Sequence, residues 1–336
     1  MSEHQAQEEK FTRRRFYSPF LQHDNTDNNH QRCSSALIIL NTPIPEARNS
    51  LLPDVFKVLW ESTTFHICAD GGANRLYDAT IIIDPSSSNS DDDAALIPDL
   101  ITGDLDSLRP DVRSYYEKRG VSIVCVEDQN YHDLDKSLMA VEKWIESTKI
   151  STSSSSSSSI NGETDSVCTT SQHQAFIYGG FGGRFDQEMA CINTLYSWGR
   201  NESFQSTQMS IYDEETGVIL LPEAPIMNEI LIRFPDVEEE EEDDDDDGEN
   251  NRESDDGDRE VIVVGEGPTC GLIPIGGRCE RVYTSGLRWN LNGDMPLEFG
   301  GLVSSSNRIV EKVVTVKTSS PLLFSFEIVK RKCKQW

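Results

Sequence analysis

The 336-residue sequence predicts an α/β N-terminal domain with a largely parallel open sheet, followed by an all-β C-terminal sandwich. Two observations carry this prediction. Between Ala36 and Trp198, short apolar runs alternate with segments of helical spacing, as parallel strands joined through helices require. After about Met209 the helical spacing stops, and short apolar runs follow one another between Gly, Pro and Asn turns. The boundary is expected near residues 200–215, giving domains at 34–207 and 208–330.

Residues 1–33 are polar and read as a disordered extension, including the basic cluster Arg13–Arg15. Ala36–Leu40 reads as a buried strand, Leu51–Glu61 as a helix, Phe65–Ala69 as a strand and Gly72–Asp78 as a helix start. Strand, helix and strand follow at Asp99–Thr102, Pro110–Arg119 and Val121–Val126. Leu134, Leu138, Val141 and Ile145 recur at helical spacing, so Leu134–Ser147 is the clearest helix. Ala175–Tyr178 is a strand, and Met189, Ile192, Leu195 and Tyr196 share a face of a helix at Phe185–Trp198. The sandwich strands are expected at Gln208–Tyr212, Gly217–Leu221, Glu229–Phe234, Glu260–Val264, Gly286–Trp289, Arg308–Val316 and Leu322–Val329. Insertions at about 84–98, 151–174 and 236–260 are too polar to pack and read as disordered loops.

Charge narrows the function classes. Asp236–Glu260 holds 17 carboxylates and two arginines, which accounts for −15 of the formal −28 and leaves −13 elsewhere. An acidic chain of this kind argues against non-specific nucleic-acid binding. None of the eight cysteines forms a CxxC pair, and no His/Cys cluster has zinc spacing. Cys68, Cys125 and Cys191 sit in apolar runs as small hydrophobes, which suits a reducing, cytoplasmic compartment. With no apolar run of about 18 residues, no membrane span is expected.

Five segments offer chemistry. Gly103-Asp104-Leu105-Asp106-Ser107 puts two carboxylates on a tight turn after a strand, suited either to a hard cation or to capping the next helix. At the start of the clearest helix, Asp128–Lys136 offers Gln129, His132, Asp133 and Lys136; Asp133 can add a carboxylate or simply cap. Tyr178–Asp186 has four glycines and Arg184, open to close approach by a phosphate, or else a structural turn; it is neither a P-loop nor GxGxxG. Asp70–Arg75 begins with a carboxylate at a strand end. In Thr284–Leu291, Trp289 fits either a sandwich core, the better reading when taken alone, or stacking on a flat cation.

The order of these segments resembles the thiamin pyrophosphokinase family of eukaryotic type. Asp70–Asn74, Gly103–Ser107, Asp133–Lys136, Gly179–Asp186 and Ser285–Leu291 carry the likeness, joined by Cys270–Pro274 and Leu302–Asn307. It spans Ala36 to Ile328 outside the insertions. The resemblance implies an α/β domain that binds ATP and magnesium, a thiamin-binding sandwich, and a homodimer whose sites are shared between subunits. It implies an acidic catalytic site of Asp70, Asp104, Asp106 and Asp133, with Asp104, Asp106 and Asp133 as metal ligands. Lys136, Gly180, Gly183 and Arg184 would line the ATP phosphates, and Gln129, Ser285 and Trp289 would contact thiamin. His132 departs from the family, which usually has threonine there, and the acidic insertion is unusually long. Two other readings compete, a magnesium-dependent nucleotide-using transferase and a non-catalytic thiamin sensor.

Overall fold

The computed structural model describes residues 12–23, 34–45, 52–81, 96–153, 168–170, 173–235 and 260–334. The first described element is β1 (Thr12–Phe16), followed by β2 (Ser34–Ile39), α1 (Asp54–Ser62), β3 (Phe65–Ala69) and α2 (Gly72–Ile81). Next come β4 (Leu100–Gly103), α3 (Pro110–Lys118), β5 (Ser122–Cys125), α4 (Asp133–Ser153), β6 (Cys168–Thr170), β7 (His173–Tyr178) and α5 (Phe185–Gly199). Beyond a short 3-10 turn the chain is strand-rich: β8 (Thr207–Tyr212), β9 (Thr216–Leu221), β10 (Ile226–Leu231), β11 (Glu260–Ile273), β12 (Val282–Ser285), β13 (Ser304–Arg308), β14 (Val313–Thr318) and β15 (Leu322–Lys334).

A ten-stranded sheet runs in the order β13-β11-β15-β9-β8-β7-β2-β3-β4-β5. From β8 to β5 every pairing is parallel; from β8 to β13 every pairing is antiparallel. The boundary expected near 200–215 therefore falls inside one continuous sheet. A second sheet, β12-β14-β10-β1-β6, completes the sandwich.

Alternation explains the layering, because successive strand residues face opposite sides. Leu37, Ile39, Cys68, Phe176 and Tyr178 point to one face, packed with Val55, Phe56 and Leu59 of α1 and with Val112 and Tyr116 of α3. Ala36, Ile38, Ile67, Ala175 and Ile177 point to the other, against Leu134, Leu138, Val141 and Ile145 of α4 and Leu195 and Trp198 of α5. A strand covered on both faces is apolar throughout, which is why β2 and β7 read as unbroken hydrophobic runs. The first of these cores continues into the sandwich through Ile219, Ile230, Val314, Val316 and Phe324.

Several expectations need correction. Within the supposed extension, β1 is a strand between β10 and β6, and Phe16 and Phe20 enter the core. Its arginines are placed by pairing: Arg13 and Arg15 grip Glu229 of β10 at 3.1 and 2.8 Å, while Arg14 donates to the Thr207 carbonyl at 3.0 Å. Leu96 and Ile97, assigned to the first insertion, pack on the core. The second insertion contains the end of α4 and β6. The rest of these insertions, at 84–95, 154–167, 171–172 and 236–259, lies outside the described residues. Gly286–Trp289 is a turn, and the single strand expected at Arg308–Val316 is interrupted between β13 and β14.

Candidate active site

The loops after β3, β4 and β7 leave the carboxyl ends of parallel strands, where open α/β sheets hold their ligands. Asp70 follows β3 with φ of 42°, a left-handed conformation that a short polar residue tolerates. The turn leaves no room for side chains: a Cβ on Gly72 would lie 2.1 Å from the Ile39 carbonyl oxygen. Asp70 is buried, and its Oδ2 accepts from the Ser107 amide at 3.1 Å. Its Oδ1 is buried and receives no hydrogen bond from the described residues. Burial holds the Asp70 carboxyl above the usual range, against the pull of Ser107, and Asp133 and Asp106 push it the same way.

β4 ends at Gly103, whose φ of 155° and surroundings demand glycine. A Cβ there would lie 2.8 Å from Asp70 Cβ and 3.0 Å from Asp133 Oδ1. The following turn brings Asp104 and Asp106 to Asp70, so that one oxygen from each lies within 4.8 Å of the others. Asn74 of α2 locks this turn, donating to the Ser107 carbonyl at 2.7 Å and accepting from the Arg109 amide at 3.1 Å.

The start of α4 forms the adjoining wall. Asp133 Oδ1 accepts from the buried Lys136 ammonium at 3.1 Å and the Asp104 amide at 3.3 Å. Lys136 also lies 3.9 Å from Asp104 Oδ2, to which the Gln129 amide donates at 3.4 Å. The most compact carboxylate trio among the described residues is Asp70, Asp104 and Asp106; Asp133, which the resemblance implies as a metal ligand, lies beside them with Oδ1 engaged by Lys136. The trio suits a hard divalent cation, since it offers oxygen ligands and one buried oxygen that no donor among the described residues satisfies. His132 is exposed; its backbone amide donates to Asp135. Cys125 is also exposed rather than core, its thiol directed at the Asp104 carbonyl.

Four glycines carry the loop from β7 to α5. Gly179 and Gly182 adopt φ of 85° and 81°, and a Cβ on Gly180 would strike the Ile211 side chain at 2.5 Å. A Cβ on Gly183 meets nothing within 4 Å, so that position faces open space. The Gly182 and Gly183 amides both donate to Glu188 Oε1, at 3.0 and 3.2 Å. Arg184 is exposed, and its guanidinium forks onto Asp186. Sequence reasoning missed Glu188; an acidic residue in the first turn after a glycine run was the available signal.

Ser285 and Trp289 lie in the sandwich. Ser285 Oγ is 2.6 Å from Thr315 Oγ1. Trp289 is 59% exposed, which corrects the core reading. Its backbone is clamped by buried Asn307 of β13, which accepts from the Trp289 amide at 3.3 Å and donates to its carbonyl at 2.9 Å. Among the described residues, the Arg288 guanidinium lies 5.5 Å from the centre of its ring. Among the described residues, no helix is long and apolar enough to cross a membrane.

Two family models match the chain: thiamin pyrophosphokinase, catalytic domain, at 56–208, and thiamin pyrophosphokinase, vitamin B1 binding domain, at 256–323. The chain is 32% identical to thiamine pyrophosphokinase 1 of Arabidopsis thaliana over 84% of its own length and 85% of the relative's. It is 28% identical to thiamine pyrophosphokinase of Saccharomyces cerevisiae over 92% and 88%. The solved thiamin pyrophosphokinase from Candida albicans shares its fold, with a TM-score of 0.63 at 24% identity over 95% of this chain and 94% of that one.

Proposed function

We propose a division of labour within this site on one premise: the chain belongs to the thiamin pyrophosphokinase family. It is a thiamine diphosphokinase, transferring the pyrophosphate of ATP to the thiamin hydroxyl and giving thiamin diphosphate and AMP. The α/β part takes ATP and the sandwich takes thiamin. Asp70, Asp104 and Asp106 hold the divalent cation, which is magnesium given the all-carboxylate donors and the phosphate-bearing substrate. When bound, the cation neutralises charge on the phosphate oxygens. The observation that carries this assignment is Asp70 Oδ1, buried beside two carboxylates with no donor among the described residues.

Lys136 and Arg184 supply positive charge to the polyphosphate, and the open backbone at Gly180 and Gly183 lets it approach closely. Gln129, Ser285 and Trp289 hold thiamin, with the exposed indole stacked on its cationic ring. The thiamin hydroxyl oxygen then attacks the β-phosphorus in line, its proton passing to a site carboxylate or to water, and the bond from that phosphorus to the AMP oxygen breaks. Alignment and charge neutralisation supply most of the rate, because the transition state is loose.

A homodimer with shared sites completes the reading. In the ten-stranded sheet, β13 and β4 are eight places apart, on the order of 38 Å at about 4.8 Å per strand. Trp289, clamped to β13, therefore meets an acidic cluster by way of a second copy. The exposed Trp289, Met295, Phe299, Val310 and Val313 give that copy an apolar surface to cover. Free thiols at Cys68, Cys125, Cys191, Cys270 and Cys279 support a cytoplasmic setting. Mixing Asp104→Asn with Trp289→Ala under subunit exchange tests the arrangement. At low thiamin the hybrid carries one intact site and exceeds the activity of either parent; no gain would defeat the shared site.

A further inference from the structure

Both anion-binding elements of the glycine-rich loop are already held by carboxylates of the same chain. Glu188 Oε1 accepts from the Gly182 and Gly183 amides at 3.0 and 3.2 Å. Arg184 donates Nε and a terminal nitrogen to the two oxygens of Asp186, the fork geometry that a phosphate would otherwise use. Neither carboxylate is sequestered: Glu188 is half-buried and Asp186 exposed, so each can yield its place to a ligand.

The geometry points to Glu188 as a positioning residue that occupies the phosphate cradle between turnovers and sets the affinity for ATP. The inference rests on the reading of this loop as the ATP-phosphate cradle. One carboxylate oxygen shared by two successive loop amides copies the contact a phosphate oxygen makes at such a site. It keeps Gly182 and Gly183 in their open conformation while no nucleotide is present. A polyphosphate can reach those amides only after the carboxylate swings away, so Glu188 and ATP compete for the same two donors. Competition lowers the apparent affinity by the fraction of molecules in which the cradle is free. Asp186 withholds Arg184 in the same manner. A purely local role makes a different forecast: a first-turn glutamate reaching back to amides ahead of its helix also stabilises the helix start.

The test is calorimetric titration of magnesium-ATP into the full-length protein and into Glu188→Gln and Glu188→Ala, with melting curves recorded alongside. If the docked form holds about 70–90% of the molecules, freeing the cradle tightens magnesium-ATP about three- to ten-fold. Thiamin affinity should not change. Unchanged or weaker nucleotide binding in both variants, with or without a lowered melting point, would overturn the inference and leave Glu188 as a helix cap. Arg184→Gln separates that failure from failure of the premise. Weaker ATP binding in this variant keeps the loop as the phosphate cradle; unaltered binding removes the cradle reading and the inference with it.

Discussion

Replacing Trp289 by alanine separates ligand stacking from structural packing, and the geometry sets the sizes. A fully buried tryptophan covers up to about 250 Å² and costs about 3–5 kcal/mol when cut to alanine. Here the residue is 59% exposed, so roughly 100 Å² is covered, a ceiling near 2.5 kcal/mol at about 25 cal/mol per Å². Part of that cover lies on backbone that Asn307 clamps from both sides, and alanine keeps those bonds. The expected stability loss is therefore about 1 kcal/mol, a fall of a few degrees in melting temperature. Stacking on a cationic ring is worth about 0.5–2 kcal/mol, which corresponds to about a 2- to 30-fold loss in apparent thiamin affinity. Magnesium-ATP affinity should hold, because the residue belongs to the sandwich. Calorimetric titration of each substrate beside a melting curve reads all three quantities. A large drop in melting temperature with both ligands weakened in parallel would refute the stacking role.

Asp104→Asn keeps shape but removes one charge from the trio, so turnover should fall roughly 10²-fold or more and recover partly as magnesium is raised; normal turnover at low magnesium would contradict the metal assignment. Glu214 accepts from the Val55 and Phe56 amides, the Tyr178 hydroxyl and the Lys330 ammonium, tying α1 and β7 to β15. Glu214→Gln should cost about 1–3 kcal/mol in denaturant unfolding, and an unchanged midpoint would show that the tie is idle. Burial pushes the Glu266 carboxyl from an ordinary 4.5 up to about 7. The folded chain then holds this proton more tightly than the unfolded chain, so the group's contribution to stability declines as pH rises from 4.5 through 7, by about 3 kcal/mol at most. Melting temperatures of Glu266→Gln from pH 5 to 8 should decline less than those of the parent, and parallel curves would exclude the effect.

The parts of the fold that sequence reveals are those with local causes. Leu134, Leu138, Val141 and Ile145 announce α4 because one helical face must be apolar, and all four are buried. β2 and β7 show as unbroken apolar runs because helices cover both sides. β1 has no such signature: its arginines are stabilised by Glu229 and a carbonyl far along the chain. The same limit hid the end of β15, where the basic run Lys330–Lys334 continues as strand through pairing with β11. In the site, the motif glycines were legible because backbone shape requires them. The resemblance places all four aspartates in one site, but which three lie closest was not legible, since the grouping of Asp70 with Asp104 and Asp106 depends on neighbouring strands. The exposure of Trp289 was not legible from its own segment, because composition cannot tell a strand interior from a turn held by Asn307.

The pairing of β1 with β10 also bears on how the chain is made. Thr12 lies opposite Ile226, so 214 positions separate the two partners. At about 5–20 residues per second, a ribosome needs about 11–43 s to deliver the second after the first. For that interval the strand lacks its β10 mate and has at most the three-residue β6 beside it, and an apolar edge left waiting would invite aggregation. Three consecutive arginines keep this one hydrated until Glu229 arrives to receive two of them. The basic cluster is thus the fastener that joins β1 to β10 in the second sheet, and its charge suits a strand that must wait for its partner.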